Sequence, residues 1–210
     1  MKIAVIGATG RTGREVVRQA RARGHEVIAV ARSPERLRVS GDGVTAVAAD
    51  AHDGEALRRA VEGSEAIVST LGAAAGRERT DVYSAGIANL LRAMDGGWAR
   101  RLAVISAAPV GPREQQPAVF RLLVGPILDR LFGGAYADMR RMEHELERRR
   151  DVEWTCLRPP RLVTRPPGGY RLDRRPLPRT RTLTYPDLAA ALLDCVDGPE
   201  ARTGMLYVAG

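Results

Sequence analysis

The sequence predicts an α/β fold, a doubly wound parallel sheet flanked by helices, in a single domain over residues 1–210. Three observations carry this. Short continuous apolar runs such as Ile3-Ala-Val-Ile6 recur along the chain, as in strands covered on both faces. Segments with apolar residues at helical spacing separate them, so strand and helix alternate. The first run passes through Gly7, Gly10 and Gly13 into a helical pattern, which marks a tight strand-to-helix turn.

In chain order, Val16, Val17, Ala20 and Ala22 form the apolar side of the first helix, and Gly24 suits its C-terminus. His25–Arg32 reads as the second strand and Val44–Asp50 as the third. Asp53 caps an amphipathic helix running to Val61, and Ala66–Gly72 is the fourth strand. A loop with Gly76, Arg77 and Arg79 leads to a helix over Thr80–Met94, and Arg101–Ala108 is the fifth strand. Four strands alternating with helices before it call for right-handed crossovers.

Regularity stops after Pro109. Residues 118–132 are unusually apolar and predict a helix bent near Gly125-Pro126, packed on the sheet, packed on a partner subunit, or forming a wall over a substrate pocket. Gly134 is expected to end it before a charged helix over Ala135–Arg150, with Tyr136, Met139, Met142 and Leu146 inward. Val152–Leu157 is the sixth strand, and Thr164–Arg181 reads as a surface loop or short hairpin. Thr184 caps a helix with Pro186 in its first turn, and Met205–Val208 is the last strand. Segments 109–132 and 159–184 form a small substrate-side region.

A length of 210 residues with 44% apolar content suits one domain with a substantial core. No run of ~18 apolar residues occurs, so no membrane partner and a soluble, cytoplasmic protein are expected. Cys156 and Cys195 read as small buried hydrophobes, and His25, His52 and His144 lack ligand spacing, so no metal is expected. The formal charge is +8, but the cations are spread along the chain without interleaved aromatics, which points to a solvated surface rather than nucleic acid. Lys2 is the only lysine, which leaves none for a Tyr-Lys pair or a Schiff base. A monomer or homodimer is expected.

The glycine spacing is G-x-x-G-x-x-G, set between a strand and a helix, the context of a dinucleotide-binding loop in a Rossmann-like fold. Gly7 supplies the tight turn, Gly10 lets the backbone approach a pyrophosphate, and Gly13 lets the helix pack closely, while first-turn N–H groups face the anion. Arg32 stands at the end of the second strand, where NAD-selective sites carry an acid, and can receive a 2′-phosphate. Arg11 can stack on adenine or clamp the same phosphate. NADP(H) is therefore the expected cofactor.

Gly7-Ala-Thr-Gly-Arg-Thr-Gly13, Arg32, Asp50, Ser106-Ala107 and Trp154-Thr-Cys-Leu-Arg-Pro-Pro160 together resemble the atypical short-chain dehydrogenase/reductases. Within that group the chain is similar to the small NAD(P)H-binding family of biliverdin reductase B (flavin reductase) and NmrA-like proteins. The resemblance implies that Thr9, Gly10, Arg11, Thr12 and Gly13 hold the pyrophosphate, and Arg32 with Ser33 the 2′-phosphate. It puts Asp50 and Ala51 at adenine, Leu71 and Gly72 at the central ribose and phosphates, and Ser106, Pro159 and Pro160 at the nicotinamide.

Two departures bear on chemistry. Tyr136 is followed four residues on by Arg140, where classical members have lysine, and arginine releases no proton although its charge can favour a tyrosinate. Arg161 follows the Pro-Pro pair, where the biliverdin reductase branch has histidine. The expected activity is hydride transfer from NADPH to a planar acceptor (flavin, quinone or bilin, anionic and aromatic ones included), with Ser106, Arg161 and Tyr136 as catalytic candidates. A non-catalytic NADP(H)-sensing protein of NmrA type is the alternative, and a cofactor-retaining isomerase or epimerase a third.

Overall fold

The computed structural model describes residues 1–37, 43–73, 80–97, 99–118, 120–177, 182–198 and 203–210; Gly76, Arg77 and Arg79 lie outside these. Strands and helices alternate as β1 (Lys2–Ile6), α1 (Arg11–Ala22), β2 (Glu26–Ala31), β3 (Val44–Ala48), α2 (Gly54–Ala60), β4 (Ala66–Ser69), α3 (Val82–Met94), β5 (Arg101–Ile105), α4 (Gly125–Glu147) and β6 (Glu153–Arg158). Three short strands, β7 (Arg161–Val163), β8 (Arg171–Asp173) and β9 (Thr182–Thr184), precede α5 (Tyr185–Asp197) and β10 (Gly204–Ala209).

The main sheet has the order β3-β2-β1-β4-β5-β6-β10-β8, parallel throughout except for β8, which runs antiparallel to β10. Side chains alternate between two layers because successive Cβ atoms point to opposite faces. Ile3 and Val5 pack beneath α1 and α5, whereas Ala4 and Ile6 pack beneath α2, α3 and α4. The order reverses between β1 and β4, and in such sheets ligands bind outside the carboxyl ends of the strands at that switch.

Local chemistry explains most element ends. Asp53 caps α2 by accepting the Ala56 N–H, and Thr184 caps α5 by accepting the Asp187 N–H. The start of α3 is capped from a distance: buried Asp138 on α4 accepts the Tyr83 and Ser84 N–H groups.

Two expectations are corrected. Gly134 does not end a helix: α4 runs unbroken for 23 residues through Gly133 and Gly134, after a π-helical turn over Phe120–Val124. Neither glycine takes the left-handed φ that a C-terminal glycine adopts, so both are absorbed as helix interior. The same helix exposes Ile127 and Leu131, and Leu122, Leu123 and Val124 before it are exposed too; only Leu128 and Phe132 of this apolar group pack on the core. The Thr164–Arg181 stretch, expected as a surface loop or short hairpin, gives one strand, β8, to the main sheet alongside β10; β7 and β9, which flank the stretch, pair in parallel in a separate ladder.

Neither cysteine is in a disulfide; both are buried, on opposite faces of the sheet. Burial pushes the Cys156 thiol well up, so it behaves as a small hydrophobe. No helix among the described residues is long and apolar enough to cross a membrane.

Candidate functional site

The site is built from the turn after β1. Gly7 has φ +78°, and its N–H and that of Ala8 both donate to Val30 O at the end of β2. Thr70, just past β4, clamps the turn from the other side: its N–H and its hydroxyl each donate to Ile6 O at 2.8 Å. A Cβ on Gly7 would lie 2.8 Å from Thr70 O, and one on Gly13 would lie 2.3 Å from Gly7 O. Both glycines are therefore demanded by the protein's own packing. Gly10 differs, because the one atom near its Cβ position is Gly7 O at 3.2 Å, and the residue is exposed. Its missing side chain leaves the loop surface bare from outside, as a backbone–phosphate contact needs.

Gly10 is also the N-cap of α1 and offers no side-chain cap. The helix ladder begins with Arg14 N–H to Gly10 O, so the N–H groups of Arg11, Thr12 and Gly13 precede it at the positive end of the dipole. No acidic side chain occupies that first turn. An open cradle, forward N–H groups and the absence of a resident carboxylate fit a dinucleotide pyrophosphate.

Arg11 does not point where expected. Its guanidinium lies 4.6 Å over the Tyr185 ring, at the start of α5, a helix that packs on β4 and β5 rather than on β2 and β3. Adenine stacking by Arg11 is thus replaced by a cation–π contact tying the glycine turn to α5. Arg32 lies just beyond β2, exposed, and among the described residues no hydrogen bond or ion pair holds it. Ser33 follows it, half-buried.

Past β3, Asp50 accepts hydrogen bonds from the His52 N–H at 2.9 Å and from its ring Nδ1 at 3.1 Å, and His52 Nε2 lies 2.9 Å from Asp81 Oδ1. This Asp–His–Asp chain joins the end of β3 to the start of α3. The bond to Asp81, and next that to Asp50, holds the His52 pKa up, while the His52 backbone bond holds Asp50 below the usual carboxylate range. Ala51 is buried beside it, its carbonyl accepting from the Asn89 amide at 2.8 Å.

At the end of β4, Leu71 rests against Gly86 of α3, where a Cβ would lie 2.5 Å from Leu71 Cδ1. Gly72 is exposed, with nothing near its Cβ position, and the next residue, Ala73, donates its N–H to the buried Tyr83 hydroxyl at 3.0 Å.

Ser106 follows β5. It is 2% exposed and its hydroxyl has no hydrogen-bond partner. Its N–H donates to Leu157 O, which continues the β5–β6 register and sets Ser106 beside Arg158, itself paired with Tyr207 on β10. Alternation places these three on the α4 side of the sheet. Arg158 and Glu143 of α4 make a buried two-bond ion pair at 2.9 and 2.8 Å. Burial opposes the Arg158 charge, yet Glu143 outweighs it and keeps the guanidinium protonated. The buried Tyr207 side chain lies against the Arg158 guanidinium, its ring centroid 5.4 Å away, and its hydroxyl occupies the space where a Cβ on Gly111 would go. Pro159, buried, accepts the Ala108 N–H at 2.8 Å, and Pro160 is half-buried.

The other two catalytic candidates are less central. Arg161 is exposed on β7, and among the described residues no hydrogen bond or ion pair holds it. Tyr136 is buried on the inner face of α4 against Phe132. Burial and then Asp129 raise its pKa, outweighing Arg140, whose nearest carboxylate is Asp129 at 3.8 Å. The tyrosinate that Arg140 was expected to favour is therefore not what this environment supports; Tyr136 keeps its proton. Sequence reasoning missed Thr70, His52, Glu143, Arg158 and Tyr207. Glu143 carried a signal, because it stands on the face of α4 that Met139, Met142 and Leu146 mark as buried.

Glycine turn, switch point and carboxyl-edge groups define a nucleotide-binding α/β protein. Comparison with known proteins agrees: the NAD(P)H-binding family model matches residues 7–199, and the chain belongs to that family. It is 27% identical to the uncharacterized protein YwnB of Bacillus subtilis (strain 168) over 96% of this chain and 95% of the relative. Among solved structures, the oxidoreductase ylbE of Lactococcus lactis superposes with a TM-score of 0.81 at 19% identity, covering 100% of this chain and 91% of that one. SP1627 of Streptococcus pneumoniae TIGR4, provisionally named an NADH-flavin reductase, gives 0.76 at 20% identity over 100% and 99%. At such identities the likeness establishes the fold.

Proposed function

We propose that this protein is an NADPH-dependent reductase that passes a hydride to a planar conjugated acceptor such as a flavin, quinone or bilin. The observation that carries this reading is the Ser106 hydroxyl, buried and unpartnered at the carboxyl end of β5. A buried hydroxyl without a partner is destabilising by about 1–3 kcal/mol, so a ligand atom that pairs with it accounts for its retention. The NAD(P)H-binding family and the likeness to SP1627 support the same direction.

Thr9, the bare outer surface of Gly10 and the N–H groups of Arg11, Thr12 and Gly13 hold the pyrophosphate, and Arg32 with Ser33 the 2′-phosphate. Asp50 and Ala51 border adenine, Leu71 and Gly72 the central ribose, and Ser106, Pro159 and Pro160 the nicotinamide. Reduced nicotinamide supplies the hydride when bound. The balancing proton is taken from solvent by the reduced acceptor, and the Ser106 hydroxyl, which can both donate and accept, hydrogen-bonds the bound nicotinamide or acceptor. Arg161 holds an anionic group of the acceptor or steadies charge developing on it, and Tyr136 remains a neutral hydrogen-bonding wall. Positioning supplies most of the rate.

The competing reading is an NADP(H) sensor without turnover, which the lone Lys2 and the exposed Arg161 favour by leaving Ser106 without an acid–base side chain of the familiar kinds. Titration with NADPH and NADH, combined with NADPH oxidation by FMN, FAD, a quinone and biliverdin, separates the two. Reduction of an acceptor that Gly10→Val abolishes and Ser106→Ala slows in kcat supports the reductase. Tight NADPH binding with no acceptor reduced supports the sensor, and turnover of a substrate without net NADPH consumption points to an isomerase.

A further inference from the structure

Arginines on this surface commonly face a carboxylate: Arg18 pairs with Glu15, Arg23 with Asp194 and Arg58 with Glu55. Arg14, in the first turn of α1, does not, although Glu15 is its neighbour in sequence. Glu15 turns to Arg18 instead, and among the described residues no ion pair holds the exposed Arg14 guanidinium. Its hydrogen bond runs from Nη2 to the Arg36 carbonyl oxygen at 3.2 Å. Four of the five guanidinium N–H groups remain for a ligand.

That bond fixes where Arg14 points. Arg36 ends the 3-10 turn Pro34–Arg36, which directly follows Arg32 and Ser33, and its N–H donates to Ser33 O at 3.1 Å, folding the turn back on Ser33. From the other side, the Gly7 and Ala8 N–H groups bond Val30 O, which anchors the approach to α1 against the end of β2. Two separate contacts thus set Arg14 beside the segment that carries Arg32. Neither arginine has a carboxylate partner among the described residues, and Glu35, the acid within the turn, pairs with neither. Two like charges brought to one strand end without a counter-charge suit an anion placed between them, and the planar guanidinium fork matches phosphate oxygens.

We propose that Arg14 is a further specificity-determining residue for the cofactor, reaching from α1 to close the 2′-phosphate of NADP(H) against Arg32 while its bond to Arg36 O keeps the turn in place. This rests on the NADPH reading above and deepens it, because the phosphate gains a second cation from a different element. The two guanidinium groups share one partner, so their losses are not additive: removing either opens the phosphate to solvent on one side.

The test is titration of the intact protein with NADPH and with NADH, at low and high salt, in the native chain and in Arg14→Ala, Arg14→Lys and Arg14→Gln. Arg58→Ala, on α2, controls for the loss of one surface charge. Arg14→Ala is expected to weaken NADPH about tenfold or more, to leave NADH within about twofold, and to flatten the salt dependence of NADPH binding. Arg14→Lys keeps part of the preference because it keeps the charge. Arg14→Gln, which retains an N–H donor for Arg36 O without the charge, loses it, and Arg58→Ala changes neither affinity. Native NADPH affinity in Arg14→Ala overturns the proposal. So does equal weakening of NADPH and NADH, or a native preference in Arg14→Gln, since either means that the side chain only braces the turn. Failure of the NADPH reading itself looks different: the native protein then binds NADPH no better than NADH and Arg32→Ala changes neither, which removes this proposal with it.

Discussion

Three glycines, each three residues from the next, have three different physical reasons. Gly7 needs a left-handed φ and close approach to Thr70, Gly13 needs contact with the turn itself, and Gly10 needs an unobstructed outer surface. Gly13→Ala is expected to destabilise the fold by about 1–3 kcal/mol through overpacking, whereas Gly10→Ala should leave Tm nearly unchanged and weaken NADPH binding; denaturation and fluorescence titration of both variants check the split. Arg32→Ala should weaken NADPH about ten- to a hundredfold, the scale of a lost charge-assisted phosphate contact, and leave NADH nearly unaffected. The glycines and Arg32 were legible because their spacing and placement are local. The Asp50–His52–Asp81 chain was not, since 29 positions separate His52 from Asp81. Its sign is testable. A histidine whose pKa is raised on folding contributes stability that is full below its unfolded value near 6.5 and is lost as pH rises through the folded value. The stability advantage of the native chain over His52→Gln should therefore shrink as pH rises above the ordinary histidine value near 6.5, by a small amount because all three groups are well exposed and screened. An advantage that grows with pH in denaturant melts would contradict the arrangement.

Among the elements, α4 does the most varied work. It caps α3 through Asp138, pairs with β6 through Glu143 and Arg158, and carries the exposed stripe. The buried pair makes a graded prediction. Arg158→Met strands the Glu143 carboxylate and should destabilise by about 3–5 kcal/mol, while the double variant Arg158→Met/Glu143→Leu recovers most of the loss; equal loss in both, measured by chemical denaturation, would mean that the pair is not what holds β6 to α4. Helix and strand identities before residue 109 were readable because period and punctuation agree there. After it they conflict: Gly133-Gly134 resembles a helix stop, yet helical neighbours on both sides absorb it at a cost of roughly 1 kcal/mol per glycine. The strands β7, β8 and β9 have three residues each, so no periodicity exists to read; their pairing is set by β10 and by one another.

For the whole molecule, the alternation of short apolar runs with helical segments was enough to anticipate a parallel, doubly wound sheet, since few other arrangements cover both faces of every strand. What the alternation does not encode is which groups meet at the carboxyl edge. Ser106 could be placed there from its strand, but its burial without a partner, and its alignment with Arg158 and Tyr207, come from the register of three strands. A cofactor bound across that edge stabilises the entire domain by mass action, by about 2.7 kcal/mol at a hundredfold excess over Kd. The shift in Tm should accordingly be larger with NADPH than with equal NADH, and Arg32→Ala should remove the difference.

The most direct test of hydride transfer is single-turnover oxidation of NADPH by whichever acceptor proves fastest, with protium or deuterium at the transferred position of the nicotinamide. A reductase working by positioning at this edge predicts a primary isotope effect on the oxidation step, retained but on a slower step in Ser106→Ala. NADPH that binds tightly yet stays reduced with every acceptor, in native and variant protein alike, would contradict it.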